Sequence, residues 1–284
     1  MKKTFNTVAL CSNSNKDHIF AIASQCMEVL VSQKVKVLID SSLSSLSNSK
    51  IKPSKEKEII KNADLLIAIG GDGTMLKYSR IYGYKGIPIL GINLGKLGFL
   101  TDINPHDLTS DLLRVLKGDF SQDERSFLEA SVKGRKKEFI ALNEVVIHSG
   151  SIAQLIEFDL FINNSFVYRQ KADGLIISSP TGSTAYSLSG GGPIVHPELE
   201  AFILTPMLPQ SLSTSPLVVK DNSLIRISIN KQKATLSFDS HNSIVLSGNN
   251  QIKICKAQSK LSLIHPINHD FFEGCRNKLS WSTH

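Results

Sequence analysis

Gly70-Gly71-Asp72-Gly73-Thr74 lies between an apolar run, Ala63-Asp64-Leu65-Leu66-Ile67-Ala68-Ile69, and a segment from Met75 to Arg80 able to open a helix. Glycine has no Cβ and tolerates positive φ, so the backbone of such a loop can come close to a phosphate. The helix N-terminus adds unpaired N–H groups and the positive end of a dipole. Asp72 is out of character there. A carboxylate repels an anion unless it holds a cation or takes a proton, so the loop predicts phosphoryl transfer rather than passive nucleotide binding. It is neither a P-loop, lacking Gly-Lys-Ser/Thr, nor a dinucleotide fingerprint, lacking the G-x-G-x-x-G spacing. The plain alternative is a tight turn with Asp72 as helix N-cap.

Further segments share this character. Gly91-Ile92-Asn93-Leu94-Gly95-Lys96-Leu97-Gly98-Phe99-Leu100-Thr101-Asp102 follows another apolar run, which puts it at the same sheet edge as Asp72, where open α/β sheets bind ligands. Phe99 is suited to walling an adenine or to packing in the core. Asn143-Glu144 precedes Val145-Val146-Ile147, at a strand rim, able to bond ribose hydroxyls or to serve as a strand-end cap. From Lys171 to Pro193 a buried strand ends in Pro180-Thr181-Gly182, followed by a hydroxyl-rich stretch and Gly190-Gly191-Gly192. So many small hydroxyls and glycines make poor core and good ligand contacts.

The elements that must hold these residues alternate in the first third. Residues 6–10, 35–39, 63–69 and 86–92 read as strands, while 16–32, the stretch from the glycine loop to Tyr82, and 106–117 read as helices; the Ser-rich 42–50 reads as a mobile connection. That order predicts a parallel sheet covered by helices. From Asp119 the chain turns to short alternating segments (128–132, 138–142, 145–148, 155–162, 175–178, 216–219, 224–229, 235–238, 243–246, 251–255), the pattern of half-buried antiparallel strands. The expected division is 1–118 and 119–267, with a helix in 268–284 returning to the first domain.

Composition narrows the class. The 284 residues are 41% hydrophobic and 20% charged, which suits a globular protein of one large or two ordinary domains. No apolar run approaches the roughly 18 residues of a membrane span, and the N-terminus has no signal-like apolar region, so a cytoplasmic protein is expected. Cys11, Cys26, Cys255 and Cys275 are far apart, fitting reduced thiols rather than a zinc or disulfide framework. The net charge of +7 is scattered, with one basic cluster at 133–137 and no aromatics interleaved. That argues against nucleic acid and suits a polyanionic substrate such as ATP.

Taken together, Gly-Gly-Asp-Gly-Thr at 70–74, Asn-Leu-Gly-x-Leu-Gly-Phe-Leu-Thr-Asp at 93–102, Asn-Glu at 143–144 and the stretch 173–189 resemble the NAD kinase family. Leu204-Thr205-Pro206, Pro216-Leu217-Val218-Val219 and Leu279-Ser280-Trp281 also fit. The resemblance implies an α/β N-terminal domain, an all-β sandwich C-terminal domain, and a homo-oligomer, dimer or tetramer. It implies transfer of the γ-phosphoryl group of ATP (polyphosphate in some members) to the 2′-hydroxyl of the adenosine ribose of NAD, with a divalent metal, Mg²⁺ by expectation, whose ligands stay unassigned. By position it makes Asp72 the general base, with Gly71, Gly73 and Thr74 at the phosphates and Lys77 at NAD. Asn143 and Glu144 fall at the nicotinamide-side ribose, and Asp173 near the nicotinamide end, where a neighbouring subunit supplies it. Thr184, Ala185, Tyr186, Ser187, Leu188 and Ser189 line the NAD pocket, with Tyr186 against a ring. Lys171 stands where the family has Arg and keeps the charge without the planar fork. His241 stands where Gln is frequent, so its contact to NAD is open. Lipid kinases of the diacylglycerol type share the Gly-Gly-Asp-Gly loop but need neither 143–144 nor 173–189. A non-catalytic NAD-binding regulator is the other alternative.

Overall fold

The computed structural model describes residues 5–13, 17–47, 51–94, 98–150, 154–211, 213–230, 233–267 and 269–281. Gly95, Lys96 and Leu97 of the 93–102 motif, Lys16 of the first predicted helix and residues 48–50 of the Ser-rich stretch lie outside them. The chain divides into two compact units, 1–124 with 260–284, and 125–259.

In the first unit the apolar runs become β1 (Thr7–Ser12), β2 (Lys36–Ile39), β3 (Leu65–Ile69) and β4 (Ile89–Ile92). All residues of β3 and β4 are buried, as expected of parallel strands covered on both faces. The order is β2-β1-β3-β4, all parallel, with Leu10 opposite Ile39, Ala9 opposite Leu66 and Ile67 opposite Leu90. The chain leaves β1 for one side and returns on the other, so the strand order reverses beside β1. The carboxyl ends at that reversal are where open sheets bind ligands. Covering helices are α1 (Asp17–Ser32), α2 (Glu56–Asn62), α3 (Asp72–Ile81) and α4 (Leu108–Leu116). On α1, Ile19, Ile22, Cys26 and Leu30 point inward, and on α4 Leu108, Leu112, Val115 and Leu116 do so, one stripe per helix at 3.6-residue spacing.

Ser12 ends β1, and its buried hydroxyl donates to the Ile69 carbonyl at 2.8 Å, beside Gly70. Ser12→Ala is expected to cost about 1–2 kcal/mol, the loss of one buried hydrogen bond. It should lower the urea midpoint at unchanged m-value.

The second unit is largely strand: β5 (Phe120–Val132), β6 (Phe139–Ala141), β7 (Glu144–His148), β8 (Ile156–Ile162), β9 (Ser165–Ala172), β10 (Gly174–Ser178), β11 (Ala201–Met207), β12 (Leu217–Lys220), β13 (Ile225–Ile229), β14 (Ala234–Phe238), β15 (Asn242–Leu246) and β16 (Asn250–Pro266). One antiparallel sheet runs β12-β11-β10-β7-β14-β15. In the other, β13 pairs with β16 and β8, and β8 with β9, all antiparallel. Phe158, Ile225 and Ile227 from the second sheet and Val145, Leu175, Phe202 and Leu236 from the first form one core, the arrangement of a β-sandwich. Between β10 and β11 come a 3₁₀ turn, Thr181–Thr184, and the single turn α5 (Tyr186–Ser189). In the first unit, Leu263 and Ile264 of β16 pair in parallel with Ile89 and Leu90, and the chain ends in α6 (Phe271–Leu279).

Several sequence expectations are corrected. The Ser-rich stretch is ordered over Ser41–Leu46 as a 3₁₀ turn, because the Asp40 carboxylate accepts from Ser42 N and Leu43 is fully buried. The helix after the glycine loop begins at Asp72 rather than Met75. Helix α2 and strands β9 and β11 are additional, and β5 and β16 run well past the segments expected for them. The pattern change at Asp119 falls just before β5, whereas the units divide within β5 and within β16. The basic cluster forms a turn, with Gly134 at φ +85°, and the cysteines are free. No helix among the described residues is long and apolar enough to cross a membrane.

Candidate active site

Asp72 follows β3 at the reversal point. Gly70 has φ +156°, and a Cβ on it would lie 2.2 Å from Thr74 Oγ1, so the tight exit from the strand requires glycine. Gly71 is the N-cap of α3 and Asp72 its first residue, with no side-chain cap bond; the N-cap alternative is therefore excluded. The Asp72 carboxylate turns instead to the 98–102 segment. Its Oδ2 accepts from Phe99 N at 3.1 Å, its Oδ1 from Leu100 N at 3.0 Å, and Lys278 Nζ of α6 donates to Oδ2 at 2.6 Å. The same ammonium stands 4.6 Å from the centre of the Phe99 ring. A Cβ on Gly98 would fall 2.1 Å from Asp72 Oδ1, so this contact also depends on glycine. A carboxylate offers about four acceptor sites. Three are taken, the side chain is 30% exposed, and one direction remains for an incoming hydroxyl. Lys278 also answers the repulsion that a lone Asp72 would exert on a phosphate.

The 98–102 segment is held to the sheet edge. Asn93 N donates to Ile103 O, Gly98 N to Thr101 Oγ1, and Thr101 is fully buried. Asp102 next to it meets two imidazoles, His265 Nδ1 at Oδ2 and His269 Nδ1 at Oδ1, the latter at 2.9 Å. Burial opposes its charge, but the hydrogen bonds and charges of His265 and His269 hold the carboxyl well below the usual carboxylate range. Lys77 lies away from this group, its Nζ 2.9 Å from Asn13 Oδ1, on a cleft of about 510 Å³ that Asp40, Tyr78 and Tyr82 also line. Gly73 and Thr74 fall in the first turn of α3.

In the second unit, Asn143 and Glu144 are positioned by Asp239. Its carboxylate accepts from the backbone N–H groups of Leu142, Asn143 and Glu144 at 2.9, 2.8 and 3.2 Å. A Cβ on Gly182 would stand 2.3 Å from the Asn143 carbonyl, so the turn after β10 closes directly on this pair. Both side chains are buried, yet Asn143 Oδ1 and Glu144 Oε2 have no hydrogen-bond partner. Such orphans are rare in a folded interior and ask for a ligand or water. Burial, reinforced by the charge of Asp239, pushes the Glu144 carboxyl up to about 8.

The hydroxyl-rich stretch is less open than its composition suggests. Ser178 and Ser179 bond the 142–143 and 179 carbonyls, Ser183 bonds Val195, and Ser187 Oγ pairs with Thr205 Oγ1 at 3.0 Å. These hydroxyls fasten the segment to the residues before β7, to Val195 and to β11. Tyr186 (41% exposed) and Ser189 face outward, and Thr184, Ala185 and Leu188 are half-buried. Asp173 joins β9 to β10, its backbone N–H bonded to Met207 O. Lys171 pairs with Glu157 at 3.7 Å, and the His241 ring bonds the Asp239 carbonyl. Sequence reading missed Lys278 and Asp239, each far along the chain from the group it contacts.

The comparisons with known proteins agree in both units. Residues 8–120 match the model of the ATP-NAD kinase N-terminal domain, and 142–266 that of the ATP-NAD kinase C-terminal domain. An NAD kinase of Teredinibacter turnerae is 40% identical over 289 residues, covering 99% of each chain. The chain belongs to the NAD kinase family. An NAD kinase of Saccharophagus degradans is 39% identical over 287 residues, covering 99% of this chain and 98% of that one. Among solved structures, a yeast NADH kinase complexed with NADH gives a TM-score of 0.91 at 26% identity, covering all of this chain and 90% of that one. An Archaeoglobus fulgidus NAD kinase in complex with ATP gives 0.76 at 27%, covering 96% and 97%. All of these relatives are NAD or NADH kinases, which disfavours the lipid-kinase alternative.

Proposed function

We propose that this chain transfers the γ-phosphoryl group of ATP to the 2′-hydroxyl of the adenosine ribose of NAD, giving NADP, with Asp72 as general base. The carrying observation is the Asp72 carboxylate at the N-terminus of α3, fixed by two backbone amides and Lys278 with one acceptor direction open. Family membership supplies the reaction, and the solved relatives with NADH and with ATP support both ligands. Asp72 receives the hydroxyl proton as the oxygen attacks in line. An aspartate is too weak a base to form an alkoxide beforehand, so the proton moves late, in a loose transition state governed by positioning and charge. The N–H groups opening α3 face the transferring group, and Lys278 offsets its negative charge.

Mg²⁺ suits this edge only as a companion of ATP. It prefers oxygen ligands and usually keeps water and substrate phosphates in its shell. Among the described residues no cluster of three carboxylates offers a cage, and Asp72 has one site left. Mg²⁺ would neutralise charge on the transferring phosphoryl group.

Asn143 and Glu144, with their unpartnered oxygens, are assigned to the hydroxyls of the nicotinamide-side ribose, and Tyr186 to a ring of NAD. The family resemblance places Lys77 and Asp173 at the dinucleotide, and Phe99 is suited to walling its adenine; contacts of Lys171 and His241 to NAD stay open. The same resemblance supports a homo-oligomer, dimer or tetramer, which light scattering would size, and the chain's composition and N-terminal sequence support a cytoplasmic location. Incubation with ATP, Mg²⁺ and NAD should yield NADP, whereas diacylglycerol in place of NAD should yield no phospholipid. NAD binding without NADP would reverse the assignment in favour of a regulator.

A further inference from the structure

We infer that Asp102, His265 and His269 form a binding site for one divalent transition-metal ion of the zinc class, separate from the Mg²⁺ that accompanies ATP. The three donor atoms lie within 4.8 Å of one another. Both imidazoles present Nδ1 to the same carboxylate, one to each oxygen, and their rings stack at 4.0 Å and 16°. Metal bonds of about 2.0–2.2 Å to nitrogen and oxygen bring such donors to roughly 3 Å apart. The donors would close from their present spacing to reach this, and His269, 23% exposed, is the less confined of the two imidazoles. The spacing of the histidines, His265-Pro266-Ile267-Asn268-His269, falls in the H-x₃₋₅-H range of zinc sites.

The surroundings of His265 add an independent argument. The residue is buried, its Nε2 has no hydrogen-bond partner, and Asp123 Oδ2 lies beyond that nitrogen at 3.9 Å. A metal ion on Nδ1 would leave Nε2–H directed at Asp123, the carboxylate–histidine–metal arrangement of many metal sites. A cavity of about 180 Å³ reaches the group, and Asp102, Asp111, His269, Asp270 and Glu273 are in its wall. Its carboxylates favour cation entry, and its volume leaves room for a water in an open coordination position.

Two imidazoles and one carboxylate select Zn²⁺, Co²⁺, Ni²⁺ or Fe²⁺ over Mg²⁺ and Ca²⁺, which take oxygen donors. The ion would clamp the 98–102 segment, whose amides hold Asp72, to the turn before α6, which carries Lys278. It would thus be a positioning element rather than a participant in the chemistry.

The test uses the full chain without a polyhistidine tag, freed of metal by chelation and dialysis. Titration with Co²⁺ should give visible ligand-field absorption that saturates at one ion per chain. Zn²⁺ should displace it, and a large excess of Mg²⁺ should not. Zn²⁺ at about a hundredfold over its Kd should raise Tm by about 3 °C or more. His269→Gln keeps a donor for Asp102 but removes the ligating nitrogen, and should weaken Co²⁺ binding at least about tenfold with the metal-free circular dichroism unchanged. Asp123→Asn should weaken it in the same direction. Absence of one-to-one binding, equal affinity in His269→Gln, or displacement by Mg²⁺ each overturns the site. None of these readouts depends on turnover, so a failed NADP assay leaves them interpretable.

Discussion

Asp72→Asn is expected to lower kcat by at least about 10²-fold while the Kd for NAD stays within about threefold, the signature of a group that acts in the transition state. The substitution is nearly isosteric, so the amides of Phe99 and Leu100 keep one of their acceptor oxygens. What is lost is the basic oxygen left open beside Lys278, and an amide in its place cannot take the hydroxyl proton. A merely structural Asp72, fastening the 98–102 segment, makes a different forecast: Tm and NAD affinity would fall together, with kcat following both. Single-turnover measurement of NADP formation, with Tm and NAD affinity on the same preparation, separates the two. Near-normal turnover in the variant would falsify the base role.

The reason Asp72 stood out in the sequence is also the reason its environment did not. A carboxylate in a glycine loop after Leu65–Ile69 is a local anomaly, readable from adjacent residues. Its neutralising partner, Lys278, is an ordinary surface-type residue near the far end of the chain, and only the return of β16 and α6 to the first unit brings it within 2.6 Å. The same division holds for the fold. Strand β3 announces itself as five apolar residues in a row, whereas β16 alternates Lys, Ser and Gln with its apolar residues over 17 positions and shows little beyond its first turn of alternation. Strand β11 carries Pro206, which demotes a strand on local grounds, yet the strand pairs with both β10 and β12. The serines of 178–187 show a different limit. Hydroxyl content marked the segment as ligand-facing, but a hydroxyl bonds an internal carbonyl as readily as a substrate. Only the structure shows that Ser178, Ser179, Ser183 and Ser187 also tie the segment to Leu142, Asn143, Val195 and Thr205. Asn143-Glu144 was legible as a polar pair at a strand rim, but its burial without side-chain partners was not, because Asp239, which holds its backbone, lies far along the chain.

That burial makes the second large forecast. Glu144 is held up to about 8 by burial and by Asp239, so the free protein carries it protonated at pH 7. Ribose hydroxyls are donors, and they bond better to a carboxylate than to a carboxylic acid. NAD binding at pH 7 is therefore expected to release close to one proton, and the Kd should tighten by up to about tenfold per pH unit on approaching pH 8, then level off. Calorimetric titration in buffers of different ionisation enthalpy measures the proton directly. Glu144→Gln should abolish the release and flatten the pH dependence. Release that persists in the variant, or none in the parent, removes Glu144 from the ribose. The same shift has a stability consequence with the sign fixed by linkage. The folded state holds a proton between the ordinary glutamate range and about pH 8 that the unfolded state has lost, so this contribution is fully present at low pH and disappears as pH rises through 8. Without NAD, the parent should lose stability over that window, on the order of a few kcal/mol, and Glu144→Gln should not. In the free chain that cost stands uncompensated beside an unpartnered Asn143. Paired with a ribose, both oxygens gain the donors that the folded chain withholds from them.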